Sequence, residues 1–218
     1  RRARVGLRNA AVDMMLLYDE KTGTGGRARE EADRLWPAIV AAQRLASRRV
    51  AAVIGTYGSA VTEAAQGILD EAGVVHVANG STAIRLTAKG LSLFFRTCPR
   101  DDEQARVAVA TLAATGAKKV AIVHDNTSYA KGLADEAKKG LAAAGLKLVA
   151  FETVTPGERD TTTVLTKLKA AAPDVVFFSG YYPEAGLLLR QKREMGWNVP
   201  FLGGDANNNP DLVKVAGK

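Results

Sequence analysis

The feature that most constrains this chain is a recurring run of strand-forming apolar residues, mostly uninterrupted by polar ones, separated each time by a helical pattern. The runs are Met14–Tyr18, Val50–Ile54, Val74–Ala78, Leu91–Arg96, Val120–His124, Leu148–Thr153, Val175–Ser179 and Phe201–Gly203. A strand with one wet face alternates apolar and polar residues. Continuous apolar runs belong to strands covered on both faces, as in parallel sheets. Strand–helix–strand repetition then predicts an α/β fold with mainly parallel, doubly wound sheets.

The helices between the runs are legible from their ends. Pro37 is expected to open one at its first position and to carry it to Arg48. Ser59–Ala72 stops at Gly73 and Tyr129–Ala144 at Gly145, where glycine accepts the left-handed backbone that ends a helix. Asp160 is expected to cap a helix whose Val164, Leu165, Leu168 and Ala172 share a face, with Pro173 ending it. Pro183 starts the next, which stops at Gly196. The stretch GTGGRARE, without regular periodicity, reads as a loop, as does Lys21–Gly26. At Arg96–Asp101 (RTCPRD) a strand leads into a proline and a polar turn, and a new series begins with Ala105–Ala114. This divides the chain into residues 1–98 and 99–218, two Rossmann-like lobes.

Composition narrows the function classes. Among 218 residues 47% are hydrophobic and 24% charged, which suits a packed globular chain rather than a disordered one. One cysteine and two histidines supply neither a disulfide nor a Cys/His metal cluster, so no metal or cofactor is expected. No apolar run approaches the ~20 residues of a membrane helix, and no membrane insertion is expected. The net charge of +7 is concentrated early, at Arg1, Arg2, Arg4 and Arg8. The other cations alternate with Asp and Glu, so nucleic acid is not an expected partner. Asp13 breaks the apolar stretch after the basic start and no small-residue cleavage site follows, so no signal peptide is read in this chain.

Enzyme motifs fail on inspection. Lys21–Gly26 has no lysine after its glycines, as a phosphate loop requires, and Ala28 stands where a dinucleotide fold needs glycine. His124 and Asp125 are adjacent in a strand, point to opposite faces, and lack a nucleophile; a structural role is expected. His76, inside VVHVA, reads as a core histidine. Cys98 reads as packing, and Trp36 and Trp197 as anchors at helix ends.

Ligands of open α/β sheets bind beyond the carboxyl ends of the strands, and four such ends carry small polar residues. IGTYGS puts Ser59 at a helix start, as an N-cap or as a donor to a carboxylate. NGST sets Gly80, Ser81 and Thr82 at the next strand end, as a turn or as part of an anion cradle. GYYPE places Tyr181 after another strand. GGDANNNP places Asp205 beyond two glycines, as a cap for the helix near Asp211 or as counter-ion for an ammonium group.

These segments, with FFRTCPRDDEQ, KKVAIVHDNTSYAKGLADEAKKGL and TPGERD, resemble in order the periplasmic substrate-binding proteins of branched-chain amino acid ABC transporters, the Leu/Ile/Val-binding type. The resemblance runs from about Ala38 to the last residue. It implies the type I periplasmic binding protein (Venus-flytrap) fold, with an amino acid clamped between two lobes. It further implies a membrane permease as partner and a periplasmic location. Ser59 resembles the serine that bonds the α-carboxylate. Thr82 resembles the threonine at both ends of the zwitterion, with Gly80 and Ser81 supplying backbone beside it. Tyr129 resembles the tyrosine that closes over the ligand, and Tyr181 the first tyrosine of its motif. Asp205 takes the place of the acid that pairs with the ammonium, and Tyr57 and Gly58 fall among side-chain-pocket residues.

The stretch before Met14 does not resemble the family's start, and relatives continue beyond the position of Lys218. The resemblance therefore implies a chain shortened at both ends, with an uncovered sheet edge and an exposed apolar face. The alternative function on the same fold is a regulatory domain that senses an amide or amino acid.

Overall fold

The computed structural model describes residues 25–217, and side chains from Leu35 onward. The sequence candidate Met14–Tyr18 and the segment Lys21–Thr24 lie outside the described residues. The chain divides into two compact units: the residues up to Ser81 with Arg85–Cys98, and Thr82–Ile84 with Pro99 onward.

In the first unit the order is α1 (Gly25–Ser47), β1 (Ala52–Ile54), α2 (Ser59–Glu71), β2 (Val75–Ala78), α3 (Arg85–Ala88) and β3 (Phe94–Arg96). The three strands form a parallel sheet in the order β1-β2-β3. Val53, His76 and Phe94 share one row across it. Beneath them, Ala42 of α1 packs with Ala65 and Leu69 of α2 and with Val74. The next row is Ile54, Val77 and Phe95, and here Ile54 is 81% and Phe95 52% exposed.

Helix α1 corrects two expectations. Pro37 lies inside the helix rather than opening it, and Gly25–Glu30 is helical rather than a loop. Arg27–Arg34 has no apolar stripe, so periodicity misses it. Its Arg, Ala and Glu residues nonetheless have high intrinsic helix propensity. The same helix places Trp36 in its body, not at an end, and exposed.

The second unit runs α4 (Asp101–Ala114), β4 (Lys119–His124), α5 (Ser128–Leu141), a 3₁₀ turn (Ala142–Ala144), β5 (Lys147–Thr153), α6 (Thr162–Ala170), β6 (Val175–Ser179), α7 (Tyr182–Glu194), β7 (Phe201–Gly203), a 3₁₀ turn (Asp205–Asn207) and α8 (Asp211–Ala216). Its parallel sheet has the order β5-β4-β6-β7. Alternate residues of the central strands face opposite cores. Val120, Ile122, Val175 and Phe177 join the residues of α4 and α5, while Ala121, Val123, Val176 and Phe178 join those of α6 and α7. Covering both faces is what lets β4 and β6 be continuously apolar.

Two helix ends differ from expectation. Thr161, not Asp160, holds the cap position of α6; Asp160 sits one residue outside and accepts the Thr162 N–H at 2.9 Å. Thr161 instead donates both its N–H and its hydroxyl to Gln191 Oε1, at 2.8 and 2.6 Å. At the other end α6 stops at Ala170, and Ala172 adopts φ 48° outside the helix, so it leaves the apolar face.

Strand order decides where the second unit can hold a ligand. The chain moves from β4 to β5 on one side and then returns to β6 on the other side of β4. The carboxyl ends of β4 and β6 therefore flank a topological switch point, where the connections diverge and leave a crevice.

Candidate functional site

At that switch point, Asp125 follows β4 and is fully buried. Its Oδ1 accepts the Thr127 N–H at 3.0 Å and its Oδ2 the Tyr181 N–H at 3.0 Å. One carboxylate thus sets the turn into α5 and fixes the backbone of the GYYPE segment after β6. Asn207 adds a second tie, donating Nδ2–H to the Gly180 carbonyl at 3.0 Å and to the Gly204 carbonyl at 3.3 Å. The expected structural role of the His-Asp pair is what the geometry gives. His124 is buried and its Nδ1 accepts the Asn126 N–H at 3.1 Å.

Three residues singled out from the sequence meet here. Tyr129 lies in the first turn of α5, is only 4% exposed, and donates its hydroxyl to Asp205 Oδ1 at 2.5 Å. Its ring packs at 5.5 Å from that of Tyr181. Burial, followed by the negative charge of Asp205, pushes the Tyr129 hydroxyl well above the usual tyrosine range, so it stays a proton donor. Asp205 itself is exposed and heads the 3₁₀ turn after β7. It does not cap α8, whose Asp211 N–H is accepted by Asn209 Oδ1 at 2.8 Å.

In the first unit the strand ends of β1 and β2 meet. Tyr57 and Gly80 form a parallel bridge, and the Tyr57 ring occupies the space where a side chain at residue 80 would begin: a Cβ there would lie 2.4 Å from Tyr57 Cδ2. Gly80 is required for this approach. Gly58 stands at the cap position of α2 with φ 92°, a backbone suited to glycine, so Ser59 is the first helical residue and not the cap. Ser59 is buried.

The hydroxyl of Ser81 donates to the Thr56 carbonyl at 3.0 Å and shares a 2.5 Å bond with Thr62 Oγ1. A hydroxyl has one proton, so Thr62 must donate to Ser81, and Thr56 in turn to Thr62. The Ser81 hydroxyl is therefore spent internally, and what Ser81 has left for a ligand is backbone. Thr82 Oγ1 is buried and has no hydrogen-bond partner among the described residues, whereas its carbonyl accepts the Asp101 N–H at 2.9 Å. A buried hydroxyl without a partner is uncommon in a finished fold and fits a group that awaits one.

The Thr56–Thr62–Ser81 chain and the double role of Asp125 are not visible in sequence, because the contacts that close them, Ser81 with Thr62 and Thr56 and Asp125 with Tyr181, span 19 to 56 residues. Gln104 was missed for the same reason. Its Oε1 accepts the Asp205 N–H at 2.9 Å across 101 positions.

Residues 37–218 match the family model described as periplasmic binding protein. The chain belongs to the periplasmic binding protein family. It is 40% identical over 182 residues to an amino acid binding protein of Pseudomonas aeruginosa, covering 83% of this chain and 49% of that protein. It is 39% identical over 180 residues to Leu/Ile/Val-binding protein homolog 1 of Brucella abortus, covering 82% and 48%. Among solved structures, the leucine binding protein LivK of Thermotoga maritima superposes with a TM-score of 0.79 at 30% identity, over 84% of this chain and 53% of that one. LivJ of Streptococcus pneumoniae, a branched-chain amino acid transporter substrate binding protein in complex with isoleucine, gives 0.77 at 33% identity, over 82% and 51%. The α/β architecture with parallel sheets is thus that of the type I periplasmic binding proteins. The chain spans about half the length of the relatives it matches. Among the described residues no helix is long and apolar enough to cross a membrane.

Proposed function

We propose that this chain serves a periplasmic solute-binding protein that captures an α-amino acid with a branched-chain or similar aliphatic side chain and delivers it to the permease of an ABC transporter. The reading rests on what an amino-acid zwitterion demands. Both of its charges lose water on binding, and each needs a partner to repay that loss. Asp205 is the counter-ion for the ammonium. Ser59 and the Gly80–Thr82 strand end are the donors for the carboxylate, with Tyr181 beside the acid and Tyr57 and Gly58 against the ligand's side chain. Neither group of residues satisfies both charges of the ligand alone. The reading involves no turnover of the bound amino acid.

The observation that carries this reading is the exposed Asp205 carboxylate, held through one oxygen by a buried tyrosine hydroxyl at the carboxyl end of a parallel strand. It stands in a chain whose relatives are named for binding leucine, isoleucine and valine. The test is calorimetric titration of the full polypeptide with L-leucine, L-isoleucine and L-valine, and with two truncated forms of leucine: isoamylamine, without the carboxylate, and 4-methylpentanoate, without the amino group. Tight 1:1 binding of the amino acids with weak binding of both truncated forms is expected. Equal binding of leucine and isoamylamine, or no binding of any of them, would overturn the reading.

A further inference from the structure

We infer that Gln104 is the positioning residue of the ammonium end, acting through the backbone of Asp205; this rests on the reading of Asp205 as counter-ion. Asp205 heads a turn of only three residues after a three-residue strand, so its own secondary structure does little to aim it. What aims it is a grip from two helices of the same unit. From α4, Gln104 Oε1 accepts the Asp205 N–H at 2.9 Å. From α5, the Tyr129 hydroxyl holds Oδ1 at 2.5 Å.

The same two groups close around the preceding residue. A Cβ at Gly204 would lie 2.9 Å from the Tyr129 hydroxyl, 3.1 Å from Gln104 Oε1 and 3.1 Å from Leu133 Cδ2. The backbone at Gly204–Asp205 is therefore walled by the side chains that bond it, and only glycine fits. With the N–H and Oδ1 both committed, the turn has one carboxylate oxygen to offer. Among the described residues Oδ2 accepts no hydrogen bond, and the residue is exposed.

Gln104 is only half-buried and the N–H it accepts is open to water. Without Gln104 water can satisfy that N–H, so the fold loses little while the turn loses its fixed orientation. A role confined to stability would affect every ligand alike. A role in aiming Asp205 affects only ligands that carry an ammonium group.

The experiment compares leucine with 4-methylpentanoate by calorimetry, using competition for the weaker ligand, in the full polypeptide and its variants. Gln104→Met keeps the length and removes the acceptor; Gln104→Glu keeps the acceptor. Gln104→Met is expected to weaken leucine binding roughly 3- to 10-fold, the worth of one net hydrogen bond, and to leave 4-methylpentanoate unchanged. Gln104→Glu is expected to restore the preference for leucine. If Gln104→Met leaves the ratio of the two affinities as it was while Asp205→Asn lowers it, the inference fails and the reading of Asp205 stands. If Asp205→Asn also leaves the ratio unchanged, the reading of Asp205 fails and takes the inference with it.

Discussion

The Tyr129 hydroxyl and Asp205 Oδ1 are 2.5 Å apart, and the tyrosine that makes this bond is almost wholly buried while the aspartate is exposed. The bond transfers the rigidity of a packed helix to a carboxylate on a short turn. Because burial and the neighbouring carboxylate raise the Tyr129 hydroxyl above the ordinary range, it should ionise only when the protein unfolds. Alkaline titration followed by phenolate absorbance should show that delayed step in the wild type and lose it in Tyr129→Phe. An unchanged titration curve would contradict it.

Under the proposed reading, removing the partners of the zwitterion should cost affinity in a definite order. Asp205→Ala leaves the ammonium desolvated and unpaired, and is expected to cost ~3–5 kcal/mol of binding. Ser59→Ala removes one hydrogen bond to a charged carboxylate, for ~1.5–3 kcal/mol. Leucine calorimetry on both variants tests the order. Equal losses, or a greater loss for Ser59→Ala, would reverse the assignment of the two ends.

Asp125 should matter for stability more than its place beside His124 suggests. Asp125→Ala leaves the N–H groups of Thr127 and Tyr181 without their acceptor at the carboxyl ends of β4 and β6. The expected cost is about 2–4 kcal/mol in urea unfolding, as two partly buried donors lose one shared carboxylate. Asp125→Asn has a single carbonyl oxygen and should fall between. A loss below about 1 kcal/mol for Asp125→Ala would show that water replaces the carboxylate freely.

Much of this architecture is legible in sequence because it is local. Val175–Ser179 and Phe201–Gly203 have the bounds that their apolar runs announce, and the other described strands agree within three residues. Glycines mark the ends of the 3₁₀ turn that follows α5 and of α7 for a steric reason, their positive φ at Gly145 and Gly196. What stayed hidden depends on groups distant in the chain. Nothing in Asp101–Ala114 marks Gln104 as the partner of a residue 101 positions away. Nothing around Ser81 says that its proton is already given to Thr56. The start of helix α1 escapes a periodicity reading for the opposite reason: it rests on local propensity, a weaker signal than an apolar stripe.

Gly80 and Tyr57 form a pair whose effects should not add. A methyl group at residue 80 would meet the Tyr57 ring at 2.4 and 2.7 Å, so Gly80→Ala must displace the ring. Tyr57 is 59% exposed and can swing toward solvent, so the loss of stability should stay within ~1–3 kcal/mol. In a Tyr57→Ala background the same change should cost almost nothing. A double-mutant cycle by urea unfolding measures the coupling. Equal costs of Gly80→Ala in both backgrounds would mean that the ring is not what excludes a side chain there.

Both histidines should make the protein sensitive to mild acid. His76 is buried, donates Nε2–H to the Gly55 carbonyl at 2.7 Å, and packs edge-on at 5.1 Å from Phe94, with Nδ1 buried and without a partner among the described residues. Burial lowers its pKa, against a smaller opposite effect of the Gly55 bond. His124 is lowered by burial too, partly offset by Asp125 and Asp135. A histidine lowered on folding binds its proton more readily in the unfolded chain. Its stabilising contribution is complete above the ordinary histidine value near 6.5, and it fades as pH falls from there through the folded value. The melting temperature should therefore drop between pH 7.5 and 5.5, before most carboxylates titrate. His76→Phe should flatten part of that drop and His76→Phe with His124→Phe most of it. A double variant as acid-sensitive as the wild type over that window would place the effect elsewhere.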